Sequence, residues 1–235
     1  LLNKAVRGLF PPGSTFKIVM LAAGLAEGIV DEDSQFYCPG HFDFSGTRFH
    51  CWRRGGHGFV HGLEAMQQSC DVYFYELGMR LGVDRIARYA RMFGFGQKFD
   101  LALPEVVSGL VPTPLWKERV HGSRWLPGET INMSIGQGKL LTTPLQMAVM
   151  TARTATGLPV LPRLVGRQKS LDDRYNLPSH VLPYVRHSMD LVVNSQKGTA
   201  HKQAMASELG RMYGKTGTVQ VRRITKAERR AGVRS

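Results

Sequence analysis

The sequence predicts a single helix-rich α+β domain with few strands. Three observations predict it. Stretches of helical length rich in Ala, Leu, Val and Met recur at residues 14–28, 143–155 and 177–194. Patterns suited to strands are confined to Val160–Val165 and Met212–Val221. No internal repeat or low-complexity tract interrupts the chain, and 235 residues suffice for one sizeable core.

Taken in order, residues 14–28 read as a buried helix with Gly28 as its stop. Residues 31–60 hold Cys38, Pro39, Gly40, Gly46, Cys51, Gly55, Gly56 and Gly58, and read as a long irregular stretch. Such loops within a domain are usually functional or cross-linked. Residues 62–68 form a short helix, and a turn at Ser69 leads into a second one, Val72–Leu81. Asp84 is expected to cap the next, with Ile86, Tyr89, Ala90 and Phe93 as its apolar stripe. Pro104–Pro127 reads as loop except for a short helix after Thr113-Pro114. Thr142-Thr143-Pro144 opens a helix to about Ala155, and a last helix begins after Pro178 or Pro183.

Composition bounds the function. Hydrophobic residues make up 43% and charged residues 21%, an ordinary globular balance. No apolar run reaches the roughly 18 residues that a membrane span needs. No signal peptide is visible, although the chain starts at Leu1 and ends in the basic run Arg229–Ser235, which reads as an excerpt of something longer. The net charge of +13 owes part of its excess to Arg222, Arg223, Lys226, Arg229, Arg230 and Arg234. That run reads as a solvated loop. With no short zinc-finger spacing and no RNA-recognition strand, nucleic acid is not an expected partner.

Three short motifs carry chemistry. Ser14-Thr15-Phe16-Lys17 follows Pro11-Pro12-Gly13 at a helix start, and its spacing sets a hydroxyl and an amine on one face. A lysine able to lose its proton activates such a serine as a nucleophile. Ser69-Cys70-Asp71 and Lys215-Thr216-Gly217-Thr218 follow. Lys215 is a candidate cation to depress Lys17, and Ser69 a candidate relay to a leaving amine. Thr216 and Thr218 offer hydroxyls, and Gly217 leaves room for a substrate to lie against the backbone. Each motif is weak alone; in this order they form a strong signature of acyl transfer.

On these residues, and on Gly136-Gln137-Gly138, Thr143-Pro144-Leu145-Gln146-Met147-Ala148 and Gly198-Thr199-Ala200, the chain resembles the transpeptidase domain of class B penicillin-binding proteins. The pattern is most similar to the penicillin-binding protein 2 branch, which serves cell elongation in Gram-negative bacteria. The resemblance implies the serine β-lactamase and penicillin-binding-protein fold, helices around an antiparallel sheet. It implies Ser14 as the acylated serine, Lys17 as its base, Ser69 as relay, and Lys215, Thr216, Gly217 and Thr218 around the substrate, with Asp71 beside them. The backbone N–H groups of Ser14 and Thr218 would form the oxyanion hole. It implies cross-linking of peptidoglycan stem peptides, acylation by β-lactams, and a membrane glycosyltransferase and elongation proteins as partners. It implies the periplasmic face of the inner membrane, with the anchor outside this chain.

In that light residues 1–235 are expected to be part of a transpeptidase domain cut at both ends, lacking pedestal and final sheet strands, and incomplete as a folding unit. One departure stands out. The family's second motif usually ends in asparagine, and Asp71 cannot donate a hydrogen bond when ionised; pairing with Lys17 is the alternative role. A D,D-carboxypeptidase, a serine β-lactamase and a non-catalytic binding module are the competing functions. No glutamate loop of the lactamase kind is evident between Ser69 and Lys215.

The three cysteines, Cys38, Cys51 and Cys70, flank His57. A Cys3His zinc site is the leading expectation, since some relatives carry a zinc in this segment. A Cys38–Cys51 disulfide with Cys70 free, or unlinked thiols, are the alternatives, and His41, His50 and His61 are competing ligands. Gly136-Gln137-Gly138 reads as a tight turn in preference to a cleft floor. Trp52, Trp116 and Trp125 read as buried or half-buried anchors, and Met133, Met147 and Met150 as core filler. Glu76 and Glu129 show no partner.

Overall fold

The segment Lys17–Ala26 has almost no polar face, and a helix apolar all round belongs in an interior. It becomes the central helix of the molecule. The computed structural model describes residues 3–166 and 175–219. Along them run α1 (Lys4–Arg7), α2 (Lys17–Ala26), β1 (Gln35–Cys38), β2 (His41–Phe44), β3 (Thr47–His50), β4 (Gly58–His61), α3 (Gly62–Gln67), α4 (Asp71–Leu81), α5 (Val83–Met92), α6 (Pro114–His121), α7 (Pro127–Ser134), α8 (Pro144–Thr156) and α9 (Val181–Asn194). Every residue from Lys17 to Leu25 is buried, and α4, α5 and α9 surround them. No described helix is long and apolar enough to cross a membrane.

Residues 31–60 are more ordered than their glycine content suggests. β1 pairs antiparallel with β4, from Gln35 opposite His61 to Cys38 opposite Gly58. Within the connection, β2 and β3 form a hairpin from His41 opposite His50 to Phe44 opposite Thr47. Its turn, Ser45-Gly46, has positive φ at both residues, as two-residue hairpins require. Four-residue strands are too short for alternation to stand out from an irregular stretch. Phe42 and Phe49 fasten the hairpin to α4 through the Tyr75 ring.

Several boundaries fall where expected. Gly28 ends α2 in a left-handed conformation, Thr113 and Thr143 cap α6 and α8, and α9 starts after Pro178. Others differ. Gly82 caps α5, and Asp84 lies inside its first turn. The helix α7 was not expected; its polar sequence hides a buried side of Thr130, Ile131, Met133 and Ser134. Glu129 has partners after all, accepting the Leu126 N–H at 2.9 Å and pairing with Lys117, and Glu76 pairs with Arg80 one turn on. Val160–Val165 and the described part of Met212–Val221 join no ladder, because no neighbouring strand lies beside them among the described residues. The rest of that second segment lies outside the described residues. In place of a central sheet, the described residues carry two two-stranded ladders.

The contact of α4 with α7 is tight at Gly78, where an added Cβ would come within 2.5 Å of Ser134 Cβ. Alanine is ordinarily better than glycine in a helix by roughly 0.5–1 kcal/mol, whereas overpacking costs about 1–3 kcal/mol. Overpacking wins here. Gly78→Ala is expected to lower stability by about 1 kcal/mol or more in chemical denaturation.

Candidate active site

The first motif sits on a backbone that only glycine permits. Residues Gly13–Phe16 form one 3-10 turn that runs directly into α2. Gly13 has φ of 58°, donates its N–H to Gly136 O at 2.9 Å, and would bring a Cβ within 2.6 Å of Thr218 O. Gly136 is as close from the other side, its added Cβ falling 2.1 Å from Gly13 O. The first motif, the Gly136 turn and the third motif therefore meet backbone to backbone. Ser14 is half-buried, and its hydroxyl has no hydrogen bond among the described residues.

The second motif is built on a helix ending. Ser69 N–H reaches Met66 O at 3.2 Å and Cys70 N–H reaches Ala65 O at 2.8 Å, the paired bonds of a Schellman motif closing α3. The residue between them takes the left-handed conformation, normally a glycine's place; here it is Ser69, at φ 54°. Cys70 then caps α4, and Asp71 is that helix's first residue, where a carboxylate suits the helix dipole.

Two lysines converge on the Ser69 hydroxyl. Lys17, fully buried, donates to Ser69 Oγ at 3.1 Å, to Ser69 O at 3.0 Å and to Asp71 Oδ1 at 2.6 Å, which accounts for its three N–H donors. Lys215 Nζ lies 2.8 Å from the same hydroxyl. Burial, and then the charge of Lys17, push Lys215 down to about 6, against a smaller opposing pull from Asp71. The sequence offered Lys215 as a cation acting on Lys17; in the structure Lys17 is one cause of the depression of Lys215. Both oxygens of Asp71 are engaged, since Oδ2 accepts the Trp52 backbone N–H at 2.9 Å.

A cleft of about 740 Å³ opens over this cluster, lined by Ser14, Ser69, Asp71, Thr216, Gly217 and Thr218 together with Trp52, Ile135, Gln137 and Thr199. Of these, Ile135 and Thr199 were not read from the sequence as cleft residues, and Trp52 and Gln137 were weighed for the cleft but read first as an anchor and a turn. Trp52 is 58% exposed, not a buried anchor, and its indole N–H donates to Gln68 O at 2.9 Å at the cleft rim. Gln137 lines the cleft as well as making the turn, its amide donating to Thr218 O at 3.3 Å. Thr199 pairs with Thr216 Oγ1 at 2.7 Å. A hydrogen-bonding side chain beside a motif glycine or cysteine was the available signal for these three. Trp116 and Trp125 are half-buried, and Met133 and Met150 are buried in the core.

Next to the cleft, Cys38, Cys51, His57 and Cys70 bring one ligand atom each to within 4.8 Å of one another. None of the cysteines is in a disulfide. His57 Nδ1 lies 3.5 Å from Cys38 Sγ and 3.6 Å from Cys51 Sγ. Tetrahedral zinc, with bonds of about 2.3 Å to sulfur and about 2.0–2.1 Å to nitrogen, sets such atoms about 3.6 Å apart, so the donor set fits. Hydrogen bonding from Cys70 draws the Cys51 and Cys38 thiols down, and their own bonds to Cys70 push its thiol up. His41 and His50 face each other across the β2–β3 hairpin, and His61 precedes α3; none joins the cluster.

A serine at a helix start, two lysines on the hydroxyl of a second serine and a glycine-lined third motif form the arrangement expected of the penicillin-binding class. The chain belongs to the penicillin-binding protein transpeptidase domain family, whose model matches residues 1–231. It is 38% identical to peptidoglycan D,D-transpeptidase MrdA of Acinetobacter baumannii, over 97% of this chain and 36% of that protein. Among solved structures it is similar to PBP2 of Pseudomonas aeruginosa in complex with WCK 5153, at a TM-score of 0.85 and 34% identity, over 94% of this chain and 52% of that one. It is also similar to PBP2 of Helicobacter pylori in complex with MreC, at a TM-score of 0.87 and 32% identity, over 94% of this chain and 42% of that one. The chain thus spans about a third of the length of the curated relatives it matches.

The left-handed Ser69 separates hydroxyl from fold. A non-glycine residue there costs about 1–2 kcal/mol. Ser69→Ala is expected to melt below the parent, and Ser69→Gly above Ser69→Ala, because glycine recovers the strain while both lose the hydroxyl. Both are expected to lose penicillin acylation by at least about tenfold, as the loss of a hydrogen bond to a charged group implies. Thermal melts beside labelled-penicillin uptake check this.

Proposed function

We propose that the protein is a peptidoglycan D,D-transpeptidase, and that Ser14 is its acylated nucleophile, with D-alanyl stem peptides as donors and β-lactams as inhibitors. The observation that carries this is the Lys17–Ser69–Lys215 hydrogen-bond chain beside an uncommitted Ser14 hydroxyl. Lys17 passes a proton to Ser69 Oγ as Ser69 passes its own to Lys215, neutral above about pH 6. Lys17 is then free to accept the Ser14 proton. Ser14 Oγ bonds to the donor carbonyl carbon, and the amide C–N bond breaks. The proton on Lys215 returns through Ser69 to the leaving D-alanine amine. The N–H groups of Ser14 and Thr218 support the oxyanion, and the hydroxyls of Thr216 and Thr218 hold the donor's carboxylate.

The reading extends to the whole protein. It places the domain at the periplasmic face of the inner membrane, in cell-wall elongation alongside a membrane glycosyltransferase. The MreC complex of the Helicobacter pylori relative supports an elongation partner.

The test is mass spectrometry after incubation with penicillin. A single adduct on the parent protein and none on Ser14→Ala is expected; an undiminished adduct on the variant would overturn the reading. The acylation rate is expected to rise between pH 5 and pH 7 with a midpoint near 6, because protonated Lys215 cannot accept the relayed proton. Lys215→Arg, which cannot lose its charge, is expected to be slow at every pH and to lack this rise.

Zinc held by Cys38, Cys51, His57 and Cys70 completes the proposal. Its chemistry is that of a closed structural site. Cys51 precedes the Trp52 N–H that binds Asp71, and Cys70 lies between Ser69 and Asp71, so the same residues that hold the ion hold the second motif. Native mass spectrometry is expected to show one zinc per chain, and a strong chelator to lower the melting temperature and slow acylation together.

A further inference from the structure

A second cavity of about 730 Å³ opens beside the first, within the size range of ligand sites. The two share Trp52 and Thr199, so the second begins where the first ends. Its lining carries two cations, Arg53 and Lys197, and one carboxylate, Glu64. Glu64 Oε2 is already committed to the His61 N–H at 3.0 Å. Lys197 has no carboxylate partner among the described residues. The segment that presents it is fixed: Gly198 N–H binds Ser195 O at 3.0 Å, and Thr199 N–H binds Gln67 O at 3.1 Å. The wall between the cavities is fixed too, since the Trp52 indole is tied to Gln68 O.

Resting on the transpeptidase reading, we propose that this second cavity seats the acceptor of the transfer, an amine carrying a nearby carboxylate, with the carboxylate on Lys197 and Arg53. The acceptor then lies across Thr199 and Trp52 with its amine directed at the Ser14 ester. A neutral amine forms the new N–C bond to the acyl carbon, the C–Oγ bond to Ser14 breaks, and the proton lost by the amine returns to Ser14 Oγ. Donor and acceptor occupy separate cavities, so acylation and transfer respond to different residues.

The experiment uses the full-length protein, a D-alanyl thioester donor and D-amino acids as acceptors, with the ratio of aminolysis to hydrolysis read by mass spectrometry. Lys197→Ala with Arg53→Ala is expected to raise the acceptor concentration for half-maximal transfer by about tenfold or more, the fold-change of a lost charged hydrogen bond. Penicillin acylation is expected to stay within about twofold, and Lys197→Arg to transfer nearly as the parent does. An acceptor with its carboxylate amidated is expected to be used equally by parent and double variant, which a merely misfolded cavity would not give. An unchanged ratio in the double variant, with acylation intact, would overturn the acceptor site and leave the transpeptidase reading standing. Failure of the unaltered protein to take up penicillin would overturn that reading, and the acceptor site with it.

Discussion

The buried pair of Lys17 and Asp71 is the contact from which the rest of the site is measured. Lys17 is fully buried and lies 2.6 Å from its partner, so water cannot stand in for that partner. Removing one member of such a pair costs about 3–5 kcal/mol, because the other is left buried and uncompensated. The pair pins the start of α2 to the start of α4. Ser14 lies one turn before the first, and Ser69 two residues before the second. Lys215 enters the same low-dielectric space, where burial and then the charge of Lys17 disfavour its own.

Asp71 in place of the family's usual asparagine follows from the same contact. An amide offers one acceptor and one donor group; a carboxylate offers acceptors on both sides. Here both sides need acceptors, one for the Lys17 ammonium and one for the Trp52 N–H. Asparagine would turn its donor toward another donor at one of them. Asp71 therefore serves the frame of the site, and the side-chain amide on the cleft wall belongs to Gln137.

The sequence was legible where residues that meet at one cleft are written as short spacing. Ser14, Lys17, Ser69 and Lys215 stand out because three ordered motifs rarely coincide, and the helix boundaries at Gly28, Thr113 and Thr143 because caps and stops are local. What distance brings together was not legible. The depression of Lys215 comes from burial and from a lysine near the other end of the chain. The hairpins of residues 35–61 were hidden by their length, and α7 by its polar face. Trp52, Gln137 and Thr199 gained their places from the meeting of loops, at which their neighbouring cysteine and glycines only hint. The third-motif segment shows the converse: a residue pattern can favour a strand, but a ladder also needs a neighbour.

The conformation of Ser69 shows how three successive residues serve three different ends. A serine in the left-handed region costs about 1–2 kcal/mol that glycine would avoid. Hydrogen bonds to charged groups contribute about 1.5–3 kcal/mol each, and the Ser69 hydroxyl faces two lysines, so the strain is outweighed. The same turn separates the side chains that follow. Cys70, extended at φ −64° and ψ 116°, joins the cysteine cluster, and Asp71, already helical, faces Lys17. A regular helix through these positions would carry each side chain about 100° round from the last. It would also lose the stop at Gln68 that ends one helix and starts the next. The lysine-bound hydroxyl, the cluster and the ion pair can share a tripeptide because the backbone changes conformation at every residue of it.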